Sequence, residues 1–244
     1  MIEKDSVTLD RDLANYIIGC PSYESIEGRS RFKWVNDVML PVFNEFQLHK
    51  SKNDLKFYMH DMKKKLSMRL SHVPDKEKKG YTKYLQQCSA NYYKLFKGRF
   101  YQRYKVISLT TPYTTESIPL EHNIKGDVDL IIKTSFGITY INYVYFINPS
   151  KFYFNVQHAG TRLQIAGRCM KLISGVEPDL LCLVIFTKKS VFKTYFRYLD
   201  EPYEDYLKIY KNNLIPIKRR YCILCRTCTV KRCAPWKTKD RILI

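Results

Sequence analysis

The sequence lacks an apolar run close to the roughly 20 residues that a membrane-spanning helix needs. It also lacks an internal repeat, a low-complexity tract and a long linker rich in proline, glycine or serine. Acidic residues are scarce, since 23 Asp and Glu stand against 42 Lys and Arg. These absences exclude a membrane span, a repeat protein and an acidic chain, and they favour a folded protein with no membrane partner.

The positive charge points to a polyanionic partner. The formal net charge is +19, and the 20 tyrosines offer faces on which bases can stack. We therefore expect a nucleic acid, DNA in the first place, as the partner. An acidic protein, or a basic surface that simply faces water, would explain the same charge.

The first residues, "MIEKDSVTLDRDLANYIIGC", are polar and acidic, unlike a signal peptide. We expect an intracellular protein, cytoplasmic or nuclear, whose eight cysteines are free thiols or metal ligands and not disulfides. The high content of Lys, Tyr and Ile is typical of genes of low GC content and raises the prospect of a virus-encoded protein.

The chain divides into three regions by pattern. Residues 1–99 are mainly helical, 100–215 form an α/β core, and 216–244 form a basic, cysteine-rich tail. "HVPDKEKKG" (72–80) is predicted to be an exposed loop between two helices. Two sets of apolar residues recur at helical spacing: Leu55, Met59, Met62, Leu66 and Leu70, then Tyr81, Tyr84, Leu85, Cys88, Tyr92, Leu95 and Phe96.

The pattern changes to β near residue 100. "YQRYKVISLT", "TESIPLEHNI", "DVDLIIKTS" and "GITYINYVYFI" are predicted strands, "NVQHAGTRLQIAGRCMKLISG" a helix, and "DLLCLVIFT" a buried strand. "EPYEDYLKIYKNN" is predicted to be a further helix. The order of helices, three strands, a helix and a further strand predicts an α/β sandwich.

A pair of carboxylates opens one predicted strand. Asp127 and Asp129 are two residues apart, so a regular strand places them on one face, and Gly126 before them permits close approach of a ligand. With Glu116 or Glu121 nearby, they could bind a hard divalent cation. A turn followed by one outward acidic residue would produce the same pattern.

In this context the chain resembles the PD-(D/E)XK nuclease superfamily, in its RecB-like branch. The resemblance rests on Gly126 and Asp129, on the order of elements, and on Gln164 in "RLQIAGRCMKL". It implies a nuclease-like α/β fold with a mixed sheet flanked by helices, in which Asp129 and a carboxylate on the next strand hold a catalytic metal. In the family a lysine lies two residues after that second carboxylate, and an aromatic residue often follows the Gln by four.

The second half of that motif is replaced here. The best register puts Asn142 at the carboxylate and Val144 at the lysine, and Arg168 stands where the aromatic is often found. The resemblance therefore implies a degenerate site comprising Asp129, Glu121, Asn142 and Gln164. In the alternative of an active nuclease using Mg²⁺ or Mn²⁺, the lysine has migrated to Lys151, Lys133 or Lys171.

The tail contains a dense cysteine cluster. "YCILCRTCTVKRCAPWK" places Cys222, Cys225, Cys228 and Cys233 within twelve residues, a density typical of a metal site. Zinc would use these four. The resemblance implies instead an iron–sulfur cluster held by Cys20, in a Cys-Pro context, with Cys225, Cys228 and Cys233. The remaining cysteines, Cys88, Cys169 and Cys182, lie in apolar patterns and are predicted to be core residues.

Three functional hypotheses remain open at this stage. The first is a DNA-binding or complex-organising subunit, working with a helicase, a replication factor or another protein, with phosphate contacts from Lys63, Lys64, Lys65, Arg69 and Arg168. The second is an active nuclease, exonuclease or endonuclease, that acts in DNA replication or repair. The third is a zinc-stapled protein-interaction factor.

Overall fold

The structure, a computed structural model, describes residues 7–17, 33–49, 55–71, 75–97, 103–118, 120, 123–145, 152–187, 189–203, 205 and 207. The helices are α1 (Asp10–Ile17), α2 (Lys33–His49), α3 (Leu55–Arg69), α4 (Asp75–Lys97) and α5 (Phe152–Ser174). The strands are β1 (Thr8–Leu9), β2 (Lys105–Thr114), β3 (Ile124–Thr134), β4 (Gly137–Tyr145), β5 (Leu180–Phe186) and β6 (Val191–Arg197).

The strands form one mixed sheet. β2, β3 and β4 are an antiparallel meander, β5 is parallel to β4, and β6 is antiparallel to β5. β1 runs parallel to the first residues of β3. The α5 helix makes the crossover that a parallel β4–β5 pair requires. The predicted α/β fold, a mixed sheet flanked by helices, is confirmed.

Each face of the sheet is covered by helices. One face packs against α2, α3 and α4 in an aromatic-rich core that includes Phe43, Tyr92 and Phe186. The other face packs against α1 and α5, where Leu13, Leu163 and Ile185 are among the buried residues. β5 is buried on both faces, as its continuous apolar sequence predicts.

A chain of hydrogen bonds crosses the aromatic core. The Tyr104 hydroxyl donates to Gln47 Oε1 at 2.6 Å, and Gln47 Nε2 donates to the Tyr92 hydroxyl at 2.7 Å. The Tyr92 and Tyr143 hydroxyls lie 2.9 Å apart in a further hydrogen bond. This network joins α2, α4, β4 and the residue just before β2 through neutral groups.

Two predicted local structures were wrong. "TESIPLEHNI" does not begin as a strand, because Thr115–Ser117 form a 3-10 turn, and β3 begins at Ile124, the last residue of that stretch. The Thr115 hydroxyl, which accepts the Ile124 N–H at 2.9 Å, ties this turn to β3. The predicted loop 72–80 is helical from Asp75, since lysine and glutamate suit the exposed first turns of a helix. Pattern reasoning also missed β1 and β6, and it predicted α1 and α2 only as part of a mainly helical region, without bounds.

The three cysteines predicted to be core residues, Cys88, Cys169 and Cys182, are buried as free thiols. Burial raises the pKa of Cys88 and of Cys182 to about 12, which keeps both protonated at neutral pH. Within the described residues, no helix combines the length and the apolar character needed to cross a membrane.

Candidate functional site

Asp129 and Asn142 meet where β3 and β4 part. Backbone pairing between the two strands ends at Leu130 and Ile141. At the next step the Asp129 N–H donates to Asn142 Oδ1 at 3.1 Å, and the Tyr143 N–H donates to Asp129 Oδ2 at 2.7 Å. Two side chains thus continue the ladder in place of backbone groups, and both residues are buried, 5% and 4% exposed.

The β3 strand is irregular at this point. Val128 packs with the α1–α5 core, but Leu130, two residues later, packs with the opposite core. Across from Asp129 in β2, Thr110 has a φ of +46°, which a β-branched residue rarely adopts. The alternation of side chains between the two faces is therefore interrupted here. The prediction that Asp127 and Asp129 share one face assumed a regular strand, and this segment is not regular.

Asp127 belongs to a different cluster, centred on Arg162 of α5. Arg162 Nη2 donates to Asp127 Oδ1 at 2.9 Å, and its Nε donates to Asp10 Oδ1 at 3.1 Å. The Tyr113 hydroxyl donates to Asp10 Oδ2 at 3.0 Å. A methyl group at Gly126 would overlap both the Asp10 carboxylate and the Tyr113 hydroxyl, so glycine is required for this close approach. One guanidinium therefore ties α1 and β3 to α5.

The electrostatics of this cluster follow from burial. Burial raises the pKa of Asp10 above its ordinary value, and the Arg162 charge opposes that rise. Burial and the adjacent Asp10 charge raise the pKa of Tyr113 well above its usual range, so its hydroxyl stays a donor. Burial opposes the charged form of Arg162, but Asp10 and Asp127 outweigh it and raise the pKa of that guanidinium. The positive charge of Arg162 thus balances the carboxylates of Asp10 and Asp127 beside the sheet.

His158 lies one turn before Arg162 on α5. Its ring Nε2 is 3.1 Å from the Arg11 carbonyl oxygen, to which the neutral ring can donate. Burial lowers the pKa of His158 to about 4, helped by the positive charges of Arg162 and Arg11. The imidazole is therefore neutral at neutral pH and attaches α1 to α5.

Gln164, expected beside Asp129, binds the last residue of β6 and the segment that follows it. Its Nε2 donates to the Arg197 carbonyl at 2.8 Å, and its Oε1 accepts the Leu199 N–H at 2.9 Å. Both ends of the amide are therefore engaged by backbone groups at the far edge of the sheet. This arrangement assigns Gln164 a positioning contact to β6.

Arg168 and Lys171 share one exposed carboxylate, that of Asp200. Arg168 Nη1 binds Asp200 Oδ1 at 2.9 Å, and Lys171 Nζ binds Asp200 Oδ2 at 2.7 Å and Glu177 Oε2 at 2.6 Å. The hydrogen bond from Lys171 is the largest of several contacts that lower the pKa of Asp200 to about 2. To contact a phosphate, Arg168 would first have to break its ion pair with Asp200.

The lysines predicted to bind nucleic acid on α3 differ among themselves. Lys63 and Lys64 are exposed. Lys65 is instead paired with Glu45 and with Asp61, the latter at 2.9 Å. Arg69 ends the helix, and its side chain is outside the described part of the structure.

Several predicted site residues lie outside the described residues. They are Glu121, Lys151 and the cysteines Cys20, Cys222, Cys225, Cys228 and Cys233. The predicted iron–sulfur or zinc site therefore stays a prediction. Within the described ranges, no group of three or more His, Cys, Asp or Glu side chains lies close enough to hold a metal ion.

Sequence reasoning missed Asp10, Tyr113 and Arg162. Asp10 is distant in sequence from its partners and carries no local motif. Arg162 offered a weak signal, since it is a charged residue in the mainly apolar segment "RLQIAG" of a helix. A lone arginine there is also compatible with an exposed helix face, so only the packed structure identifies its two carboxylate partners.

No family model and no curated protein matches the sequence. A solved structure described as "Crystal structure of SSO0001" is similar over 95% of this chain and 89% of that chain, with a TM-score of 0.41 and 16% sequence identity. At that TM-score and identity, the similarity assigns neither a family nor an activity.

Proposed function

We propose that this protein binds DNA through its phosphate backbone and does not cleave it, acting as a subunit that holds DNA or organises a complex. The proposal that the protein does not cleave DNA rests on the Asp129–Asn142 pair. The order of a helix, three antiparallel strands, a crossover helix and a parallel strand supports a nuclease-like ancestry for the sheet. The net charge of +19 supports the DNA-binding half.

The chemistry of the pair argues against hydrolysis. A catalytic Mg²⁺ ion needs charged oxygen ligands because it gives up its water reluctantly. Asn142 contributes no charge, and Asp129 Oδ2 already accepts the Tyr143 N–H. A metal at this carboxylate would draw its negative charge away from the buried Tyr143 N–H and weaken that hydrogen bond. Both the charge and the geometry therefore disfavour a metal at this position.

The position expected for a catalytic lysine is occupied by Val144. Val144 is 7% exposed and packs in the α1–α5 core, where it cannot orient a water molecule. Of the alternative lysines, Lys171 is engaged by Asp200 and Glu177. Lys133 is exposed near the β3–β4 turn, four residues beyond Asp129.

Binding and cleavage can be tested separately. We expect linear single- or double-stranded DNA to bind with an affinity that falls steeply with salt, and to remain intact with Mg²⁺ or Mn²⁺. The absence of binding at low salt would remove the DNA assignment. Cleavage by the unmodified protein that disappears in Asp129→Asn would show that the centre is active.

The charge argument has its own test. Asn142→Asp keeps the side-chain size and an oxygen that can accept the Asp129 N–H, but it adds the missing negative charge. We expect this variant to bind Mn²⁺ more tightly than the unmodified protein, as measured by the loss of the free Mn²⁺ signal in electron paramagnetic resonance. The double variant Asn142→Glu with Val144→Lys is the stronger attempt to restore cleavage, although its lysine enters an apolar core. Unchanged Mn²⁺ binding in Asn142→Asp would refute the charge deficit as the reason for inactivity.

A further inference from the structure

From Lys78 onward, the helix α4 carries lysines on its exposed face and no acidic residue; Asp75 and Glu77 precede this part in the first turn. From Lys78 to Lys97 the helix contains five lysines and neither Asp nor Glu. Four of them, Lys79, Lys83, Lys94 and Lys97, are separated by multiples of about one turn and fall within about 60° of arc at 100° per residue. We name these four residues the lysine stripe.

The stripe points away from the core. On the opposite side of α4, Leu85, Cys88 and Tyr92 are fully buried against the aromatic core. Lys79, Lys83 and Lys94 are exposed, and none of the three forms an ion pair within the described ranges. Lys97 is partly buried and lies 6.0 Å from the centre of the Tyr93 ring. The lysine charges of the stripe are therefore available to a partner.

The amino-terminal part of α4 adds further hydrogen-bond donors. A shallow depression there is lined by Lys78, Lys79, Thr82, Lys83 and Gln86, together with Asp75. Asp75 is the only acidic residue among them, and it lies 4.0 Å from Lys78, outside the stripe. Ammonium, hydroxyl and amide groups in one depression suit the oxygens of a phosphate.

The α3 helix offers a less favourable surface. Its Lys65 is neutralised by Glu45 and Asp61, so an anion near Lys63 and Lys64 also meets carboxylates. On α4 an anion meets lysines at both ends of the stripe, and between Lys78 and Lys97 it meets no carboxylate of that helix. From Lys79 to Lys97 the stripe extends about 27 Å at 1.5 Å per residue, long enough to follow several consecutive phosphates.

We infer that the lysine stripe of α4 is the surface that binds the nucleic-acid phosphate backbone, an inference that rests on the DNA binding proposed above. Lysine ammonium groups contact phosphates without reading bases. Binding through the stripe is therefore independent of sequence and depends strongly on salt. The partner is the phosphate backbone, and the carboxylates of β3 do not contribute to its binding.

The experiment compares two variants that each remove three positive charges. The first is Lys79→Gln, Lys83→Gln and Lys94→Gln on the stripe. The matched control is Lys105→Gln, Lys133→Gln and Lys189→Gln, three exposed lysines elsewhere, of which Lys105 and Lys133 face each other across β2 and β3. Circular dichroism and thermal melting verify that both variants fold. DNA affinity is then measured as a function of salt.

The plot of log K against log salt has a negative slope, and each lysine–phosphate interaction that is removed makes it shallower by about 0.9 for duplex DNA. We therefore expect the slope of the stripe variant to be shallower by about 2 to 3 units. The control should keep the slope of the unmodified protein. Equal decreases in both variants would mean that net charge, not the stripe, binds DNA. A stripe variant that binds as the unmodified protein does would overturn the inference while leaving DNA binding intact.

Two further outcomes concern the partner itself. If the unmodified protein binds no DNA at low salt, the proposed function fails, and the inference fails with it. A competition with polyglutamate tests the remaining possibility, that the stripe binds an acidic protein. Polyglutamate that displaces DNA at equal charge concentration would identify an acidic protein as the better occupant and would overturn the assignment to nucleic acid.

Discussion

The two faces of the sheet bury polar groups in different ways. On the face covered by α2, α3 and α4, Gln47, Tyr92, Tyr104 and Tyr143 form a neutral hydrogen-bond chain. On the face covered by α1 and α5, the buried polar contacts involve the Arg162 charge and the His158 ring. One sheet thus has a neutral network on one side and an ionic one on the other.

The difference predicts how each face responds to change. A neutral hydrogen bond contributes about 1 kcal/mol net, whereas a buried charge that loses its partner costs several kcal/mol. Neutral phenols and amides are also insensitive to pH near neutrality. The α1–α5 face should therefore be the fragile and pH-sensitive side of the molecule, and the aromatic face the robust one.

The largest effect is expected on removing the central charge of the ionic face. Arg162→Met leaves Asp10, only 3% exposed, without its cation, so we expect a loss of about 4 kcal/mol in the free energy of unfolding. Denaturation by urea at neutral pH measures it.

The matched control for that variant is Lys171→Met on the same helix. Lys171 also joins two carboxylates, Asp200 and Glu177, but these are 39% and 49% exposed. Water screens exposed ion pairs and they contribute little to stability, so the loss should be much smaller than that of Arg162→Met. Similar losses in the two variants would contradict the distinction between a buried and an exposed cluster.

Acid should weaken the α1–α5 face through His158. Its pKa is lowered from 6.5 to about 4 in the folded protein, so the unfolded chain binds the extra proton first as the pH falls. Stability linked to this residue is present above pH 6.5 and is lost on acidification towards pH 4, by up to about 3 kcal/mol. His158→Gln should flatten the pH dependence of the free energy of unfolding across this window. An equally steep dependence in the variant would assign the acid sensitivity to other groups.

The smallest effect is expected in the neutral network. Tyr92→Phe keeps the ring, which stacks on Phe43 at 3.8 Å between centroids, but removes the hydroxyl between Gln47 and Tyr143. We expect a loss of about 1–2 kcal/mol in the free energy of unfolding.

Tyr145→Phe is the control for the network. The Tyr145 hydroxyl is buried without a hydrogen-bond partner within the described part of the chain, so its removal should be neutral or slightly stabilising. Both free energies can be measured by urea denaturation at neutral pH. A Tyr145→Phe loss as large as that of Tyr92→Phe would show that the hydrogen bonds of Tyr92 are not the source of its effect.

Much of the fold could be predicted because periodicity reports burial. The α3, α4 and α5 helices follow from apolar residues at helical spacing, and β5 from a short continuous apolar run. "TESIPLEHNI" failed because its alternation is interrupted by a 3-10 turn whose stability comes from the Thr115 contact with Ile124. That contact joins residues nine positions apart, and no local pattern encodes it.

The candidate site was predictable only in part. The sequence by itself determined that Asp129 has an ionisable carboxyl group, that Asn142 has none, and that the chain is strongly basic. The tertiary structure decided what those groups bind. It placed Asp129 and Asn142 in the ladder between two strands, gave Asp127 to Arg162, and directed Gln164 to the backbone after β6. Side-chain size and the presence of an ionisable group belong to each residue alone. A hydrogen-bond partner is set by how distant segments pack, and that information lies in no single stretch of sequence.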